Sequence, residues 1–423
     1  MIPNGGITLS FDTHVKSRLA VALTSRKLLR ARRIFHEGKR QVMRQPHVVH
    51  YFHDAVDPYC HLTAQILQRF QNRYRIAVRP YLISGPPTDA VPDPVAHHRN
   101  ALDDSRRLAR KLGLAGHSST KPDPDAVSRA EQALAAKLED GDFLSSVADI
   151  SRELWAGGDM SKWKGADPLS AKANGDHQLS SFGHYMGGTF YYGGEWYWGV
   201  DRLHYLEDRL QSAELGADLP PLIPVPDLRD IHAEGQAIEF FFSYRSPYSY
   251  LAFDRVRNLA KRSGADLVLR PVLPMLMRGL PVPKAKSSYI LLDCAREARR
   301  LDVPFGRICD PLGAGVERGY ALLDHAEAPG RMAEYCSAFL RGVWSQGLDA
   351  STDKGLAQIV GQAGLDWNIA RQELTKQNWR TRVAQNQDRL QEIGLWGVPS
   401  FRVSGQSIWG QDRLWAIEDT LVS

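Results

Sequence analysis

Three short segments in the C-terminal half of this chain carry residue types suited to holding a small anionic ligand. The first is Ser246-Pro247-Tyr248-Ser249, which follows the apolar run Ile238-Glu239-Phe240-Phe241-Phe242. Serine is a strong helix N-cap, and proline suits the first helical position, whose N–H is unpaired in any case. A helix starting there turns its unpaired N–H groups and the positive end of its dipole towards the preceding loop. That stabilises an anion, and a thiolate is the natural candidate. The second segment, Gly397-Val398-Pro399-Ser400-Phe401, is a candidate cis-proline turn. Such a turn would leave the amide and carbonyl of Val398 free to pair with an extended peptide. In the third, Trp409-Gly410-Gln411-Asp412-Arg413-Leu414, Gln411 and Asp412 could take the ammonium end of a small peptide ligand. Each segment also has a plainer reading: Ser246 as a helix cap only, Pro399 as an ordinary trans loop proline, Asp412 as a cap paired with Arg413.

The elements that must position these residues occur twice. Residues 183–208 lie over residues 394–419 without a gap, sharing Phe190 with Phe401, Trp198 with Trp409, and Asp201-Arg202-Leu203 with Asp412-Arg413-Leu414. Self-similarity of this kind within one chain points to duplication. Further upstream the offset is 189, relating Pro58 to Pro247, Asp104 to Asp293 and Trp155 to Trp344. Each copy opens on a strand-like run, Val48–Phe52 or Ile238–Phe242, followed by a Pro-started helix. A second strand follows, near Ile76–Leu82 or Ala265–Val272. The second copy has 22 extra residues before its terminal block, with helices expected over Leu356–Gly364 and Asn368–Ile393. The corresponding Ser161–Ser181 stretch of the first copy, rich in Lys, Gly and Ser, is expected to be a loop. The pattern β–α–β, helical insertion, β-hairpin, closing helix predicts an α/β protein of two tandem thioredoxin-like domains, each with an inserted helical subdomain. The expected boundaries are a basic helical arm at 1–46, a degenerate domain at 47–215, a Pro-rich linker at 216–236 and a second domain at 237–423.

The first copy has lost much of this chemistry. Asp57 replaces Ser246, and its charge would oppose an incoming thiolate by roughly 1 kcal/mol in a partly wet site. Gly188 replaces Pro399, and Cys60 sits one turn inside the helix, as a small buried residue or else a reactive monothiol. His50, His53, His61, His184 and the His97-His98 pair have no zinc-ligand spacing, so no metal is expected.

Composition narrows the classes. At 423 residues, 43% hydrophobic and 24% charged, the chain suits two globular cores. A net charge of +5 over this length gives no reason to expect a nucleic-acid partner. Ten Lys/Arg against one acid between Lys16 and Arg44 mark a basic leader, either an amphipathic helix touching a partner or membrane surface or a solvated arm. No apolar stretch is long enough to span a membrane. The four cysteines form no CxxC pair, which fits a reduced, cytoplasmic protein.

Taken together, SPYSYLAF at 246–253, YILLDCAREARRLDVPF at 289–305, RGVWSQGLD at 341–349 and GLWGVPSF…WGQDRL at 394–414 resemble the 2-hydroxychromene-2-carboxylate isomerases. Kappa-class glutathione transferases and DsbA disulfide oxidoreductases belong to the same thioredoxin-fold superfamily. The resemblance covers nearly all of the second copy and, more weakly, the first. It implies glutathione as cofactor, with Ser246 beside its sulfur, Val398 before Pro399 pairing with its backbone, and Asp412 holding its γ-glutamyl end. A basic contact is implied from Lys284 or Lys286. The implied reaction is reversible thiolate addition to an unsaturated aromatic acid, or a conjugation that stops after addition. The chain departs from the family where Gly279 is followed by Leu280 instead of Asn. Disulfide exchange at this site is disfavoured, since Ser246 and Ser249 stand where two cysteines would be required. Two other classes remain: a non-catalytic binding platform and a redox enzyme using Cys60. Relatives of this type form dimers, which suggests that copy one substitutes intramolecularly for a partner subunit.

Overall fold

A computed structural model describes residues 20–422. The chain divides into two units. The N-terminal unit comprises Arg30–Asp227 and Pro283–Tyr289, and the C-terminal unit comprises 20–29, Leu228–Val282 and 290–422. Among the described residues, no helix is long and apolar enough to cross a membrane.

The N-terminal unit is built on a four-stranded mixed sheet of order β2-β1-β3-β4. Its strands are β1 (Val48–His53), β2 (Ala77–Leu82), β3 (Thr189–Tyr192) and β4 (Glu195–Trp198). β1 pairs in parallel with β2 and antiparallel with β3, with Tyr51 opposite Phe190. The C-terminal unit repeats the order with β5 (Ala237–Phe242), β6 (Asp266–Pro271), β7 (Ser400–Val403) and β8 (Gln406–Trp409). Here Phe240 faces Phe401 across β5 and β7, ring on ring at 4.9 Å. The β-branched and aromatic residues of β1 and β5 suit strands buried on both faces. Both hairpins turn on two residues at positive φ, Gly193-Gly194 and Ser404-Gly405, the geometry that matches the twist of the flanking strands.

A basic helix, α1 (Arg26–Val42), precedes the first sheet. The helix after β1, α2 (Pro58–Arg73), is capped by Asp57 with Pro58 in its first turn. Between β2 and β3 come α3 (Pro94–Leu112), α4 (Pro124–Asp140), α5 (Phe143–Trp155) and α6 (Pro168–Ser181), and α7 (Leu203–Ser212) closes the unit. α6 corrects the expectation of a loop over Ser161–Ser181. Asp167 caps it and Pro168 starts it. Its sequence lacks an apolar stripe because it packs through a glycine: a Cβ on Gly175 would come within 2.0 Å of the Leu82 carbonyl oxygen. Close backbone approach, aided by buried Leu179, replaces the usual row of large side chains.

In the C-terminal unit α8 (Pro247–Ser263) follows β5, ending at Gly264 in the left-handed region. After β6 come α9 (Lys284–Arg300), of which only the part from Ile290 onward belongs to this unit, α10 (Ala314–Ala321), α11 (Leu323–Glu327) and α12 (Met332–Arg341). Then α13 (Asp353–Gln362), α14 (Trp367–Glu373) and α15 (Asn378–Glu392) lead into β7, and α16 (Leu414–Leu421) ends the fold. The repetition extends to single bonds. Tyr59 donates to Asp104 at 2.8 Å and Tyr248 donates to Asp293 at 2.8 Å. Arg107 and Arg296 pair with the same two carboxylates. The Pro-rich Leu219–Asp227 stretch forms no helix or strand, and Glu207 accepts from the Leu222 N–H within it.

Candidate functional site

The C-terminal unit brings the three predicted segments together, the first to the second and the second to the third. Ser246 has extended backbone geometry and caps α8, its Oγ accepting from the Ser249 N–H at 3.1 Å. The same hydroxyl donates to the Val398 carbonyl at 3.4 Å. That is long for an O–H···O bond and correspondingly weak, so the proton can be redirected at little cost. The Val398-Pro399 peptide is cis. The Pro399 carbonyl accepts from the Gly410 N–H at 3.0 Å, which fixes the start of the third segment against the second. Trp409 covers the turn, since a Cβ on Gly397 would lie 2.1 Å from its ring. Trp396 meets Trp409 edge-on at 5.0 Å, and Val398 and Trp409 pack on a core of Phe241, Val272, Leu390 and Leu395. The turn that faces the Ser246 hydroxyl is thus backed by two tryptophans.

The remaining predicted contacts are differently placed. Gln411 is buried, with Oε1 accepting from Arg255 at 2.9 Å and Nε2 donating to Glu297 at 2.8 Å. Both ends of its amide are thus engaged inside the fold. Asp412 is partly exposed and lies 3.4 Å from the Arg413 guanidinium, the pairing that was its plainer reading. Lys286 lies in the segment that belongs to the N-terminal unit, where its ammonium donates to the Ala90 carbonyl at 2.8 Å. Burial lowers its pKa to about 8.

One residue not singled out in the sequence joins this region. Arg278, in the turn after β6, donates to the Trp396 carbonyl at 2.9 Å. Burial lowers its pKa, and among the described residues no carboxylate pairs with it. The sequence signal was a basic residue just before Gly279, at the point where the chain departs from the Gly-Asn pattern.

The equivalent place in the N-terminal unit has the same framework and different chemistry. The Gly199 N–H donates to the Gly188 carbonyl at 2.8 Å, as Gly410 does to Pro399. Gly188 is at positive φ. Cys60 is fully buried, accepting from the Asp54 N–H at 3.3 Å and donating its thiol proton to Asp57 at 3.2 Å. Burial raises Asp57 to about 6, and burial with the neighbouring Asp57 charge raises Asp54 to about 7. Burial and these two carboxylates push the Cys60 thiol well above its usual range, the opposite of a reactive thiolate. His53 and His184 are core residues that burial lowers to about 3. Among the described residues no group of His, Cys, Asp or Glu could hold a metal ion.

Residues 237–422 match the family model of the DSBA-like thioredoxin domain. Over 197 residues the chain is 24% identical to a 2-hydroxychromene-2-carboxylate isomerase of Sphingobium xenophagum, covering 44% of this chain and 98% of that protein. A solved structure of a 2-hydroxychromene-2-carboxylate isomerase is 22% identical, covering 44% of this chain and 94% of its own, with a TM-score of 0.39. The cytosolic disulfide reductase DsbM of Pseudomonas aeruginosa, solved with GSH, is 16% identical, covering 44% and 96%, with a TM-score of 0.33.

Proposed function

We propose that the C-terminal unit is a glutathione-dependent isomerase acting on unsaturated aromatic acids, and that the N-terminal unit is a degenerate tandem copy without this activity. The observation carrying the reading is the Ser246 hydroxyl at the start of α8, 3.4 Å from the carbonyl before Pro399. Glutathione, when bound, supplies a thiolate nucleophile that adds reversibly to an activated double bond. The residues fit it in part. Ser246 would turn its weakly held proton to the sulfur, while the Ser249 N–H fixes its oxygen in place. Hydrogen bonding to the charged form, together with the α8 dipole, favours the thiolate at neutral pH. The Val398 main chain would hold the peptide backbone and Asp412 the γ-glutamyl ammonium. Gln411 and Lys286 are given no part, because each is engaged elsewhere. Trp396 and Trp409 would wall an aromatic ring, and Arg278 would meet its carboxylate.

A conjugating transferase would use the same residues and stop after addition. The competing class, a non-catalytic binding platform, draws on the engagement of Gln411 and Lys286 within the fold. Turnover of a panel of unsaturated aromatic acids with and without glutathione separates the three. Isomerised product with unchanged glutathione supports the proposal, a stable adduct supports the transferase, and no saturable glutathione binding at millimolar concentration supports the platform.

A further inference from the structure

We propose that the outward face of α1 is a docking surface for an anionic phospholipid bilayer. An amphipathic helix of a globular protein normally turns its apolar stripe to the core and its charges to water. α1 does the reverse. Its inward contacts are polar: Arg33 forms two bonds to the Glu195 carboxylate, at 2.7 and 3.0 Å, and Arg32 donates to the Gly194 carbonyl at 3.0 Å. No residue of α1 is buried. Leu28 and Leu29 at its start are half-buried, but from its middle onward the large apolar side chains face outward, with Ile34 73%, Phe35 68% and Val42 84% exposed, and Met43 just beyond it 52%. Ile34, Gly38 and Val42 are four apart and so share one face, with Phe35 beside them. A Cβ on Gly38 would meet nothing within 4 Å, so the face is open at this position between Ile34 and Val42.

The rim identifies the occupant. Arg30, Lys39 and Arg44 are exposed, and among the described residues none of them pairs with a carboxylate. Apolar side chains flanked by unpaired cations match the layered chemistry of a bilayer surface, acyl chains beneath anionic headgroups. A second copy using the same face would set these cations against their own duplicates, because a two-fold contact pairs identical patches. Charge complementarity therefore favours the bilayer.

Co-flotation of the full chain with vesicles tests this. The chain should rise with phosphatidylcholine vesicles containing about one-third phosphatidylglycerol and stay behind with phosphatidylcholine alone. Binding should weaken at least tenfold in ~0.5 M salt, where exposed charges are screened. The pair Ile34→Asp with Phe35→Asp should abolish flotation, and Lys39→Glu with Arg44→Glu should weaken it by about tenfold. All four positions are exposed, so unchanged thermal unfolding is the expected control. No flotation with anionic vesicles, equal flotation with neutral ones, or wild-type binding by both variants would overturn the proposal. So would a dimer that the Ile34→Asp and Phe35→Asp pair dissolves in the absence of lipid.

Discussion

The two sheets of this protein share their strand order, their hairpin type and even their Tyr–Asp bonds, yet the helix starts of the two units have opposite electrostatic character. In the C-terminal unit a neutral hydroxyl, weakly committed to a carbonyl, caps α8. In the N-terminal unit a carboxylate caps α2 and holds the proton of a buried thiol. The framework bonds are those a fold needs whatever it does. On the proposed function, the cap residue and the turn opposite it decide whether an anion can approach.

The sharpest way to break the comparison is to write one cap into the other. Ser246→Asp should eliminate glutathione-dependent turnover, because the new carboxylate repels the thiolate and supplies no proton at neutral pH. Steady-state kinetics would read this as loss of kcat/KM below detection. Ser246→Ala should be milder, lowering kcat/KM on the order of 100-fold, the usual effect of removing one hydrogen-bond donor to a reacting anion. Arg278→Met should raise KM for the aromatic acid about tenfold with little change in the KM for glutathione, a split that a merely structural role would not give. The smallest effect belongs to the N-terminal unit. Asp54 and Asp57 have folded pKa values near 7 and 6, above those of an unfolded chain. The unfolded state therefore ionises first. Stability is fully present below the unfolded carboxylate pKa, about 4, and is lost as pH rises through the folded values. Calorimetry should show the unfolding of this unit moving down by roughly 5 °C between pH 5 and 8, and Asp54→Asn should flatten that slope.

Much of this contrast is legible in the chain itself. The strands announce themselves as aromatic and β-branched runs, and Ser246-Pro247 and Asp57-Pro58 mark helix starts by local chemistry alone. The self-similarity of the two halves points to two sheets of the same order, though not to which order that is. α6 was hidden because it packs through Gly175 against the Leu82 carbonyl, so no apolar period records its burial. Gln411 looked available because its partners, Arg255 and Glu297, lie more than a hundred residues away. Lys286 illustrates the same limit: its carbonyl partner at Ala90 is 196 residues distant, and spacing carries no trace of it.

The central claim, that the α8 cap stabilises a bound thiolate, is tested most directly by titrating the thiol of glutathione on the protein, following thiolate absorbance in the ultraviolet. The account predicts a thiol pKa well below that of free glutathione on the wild-type chain, returning to the free value in Ser246→Ala. A bound thiol with an unshifted pKa, or the same depressed pKa in both proteins, would contradict it.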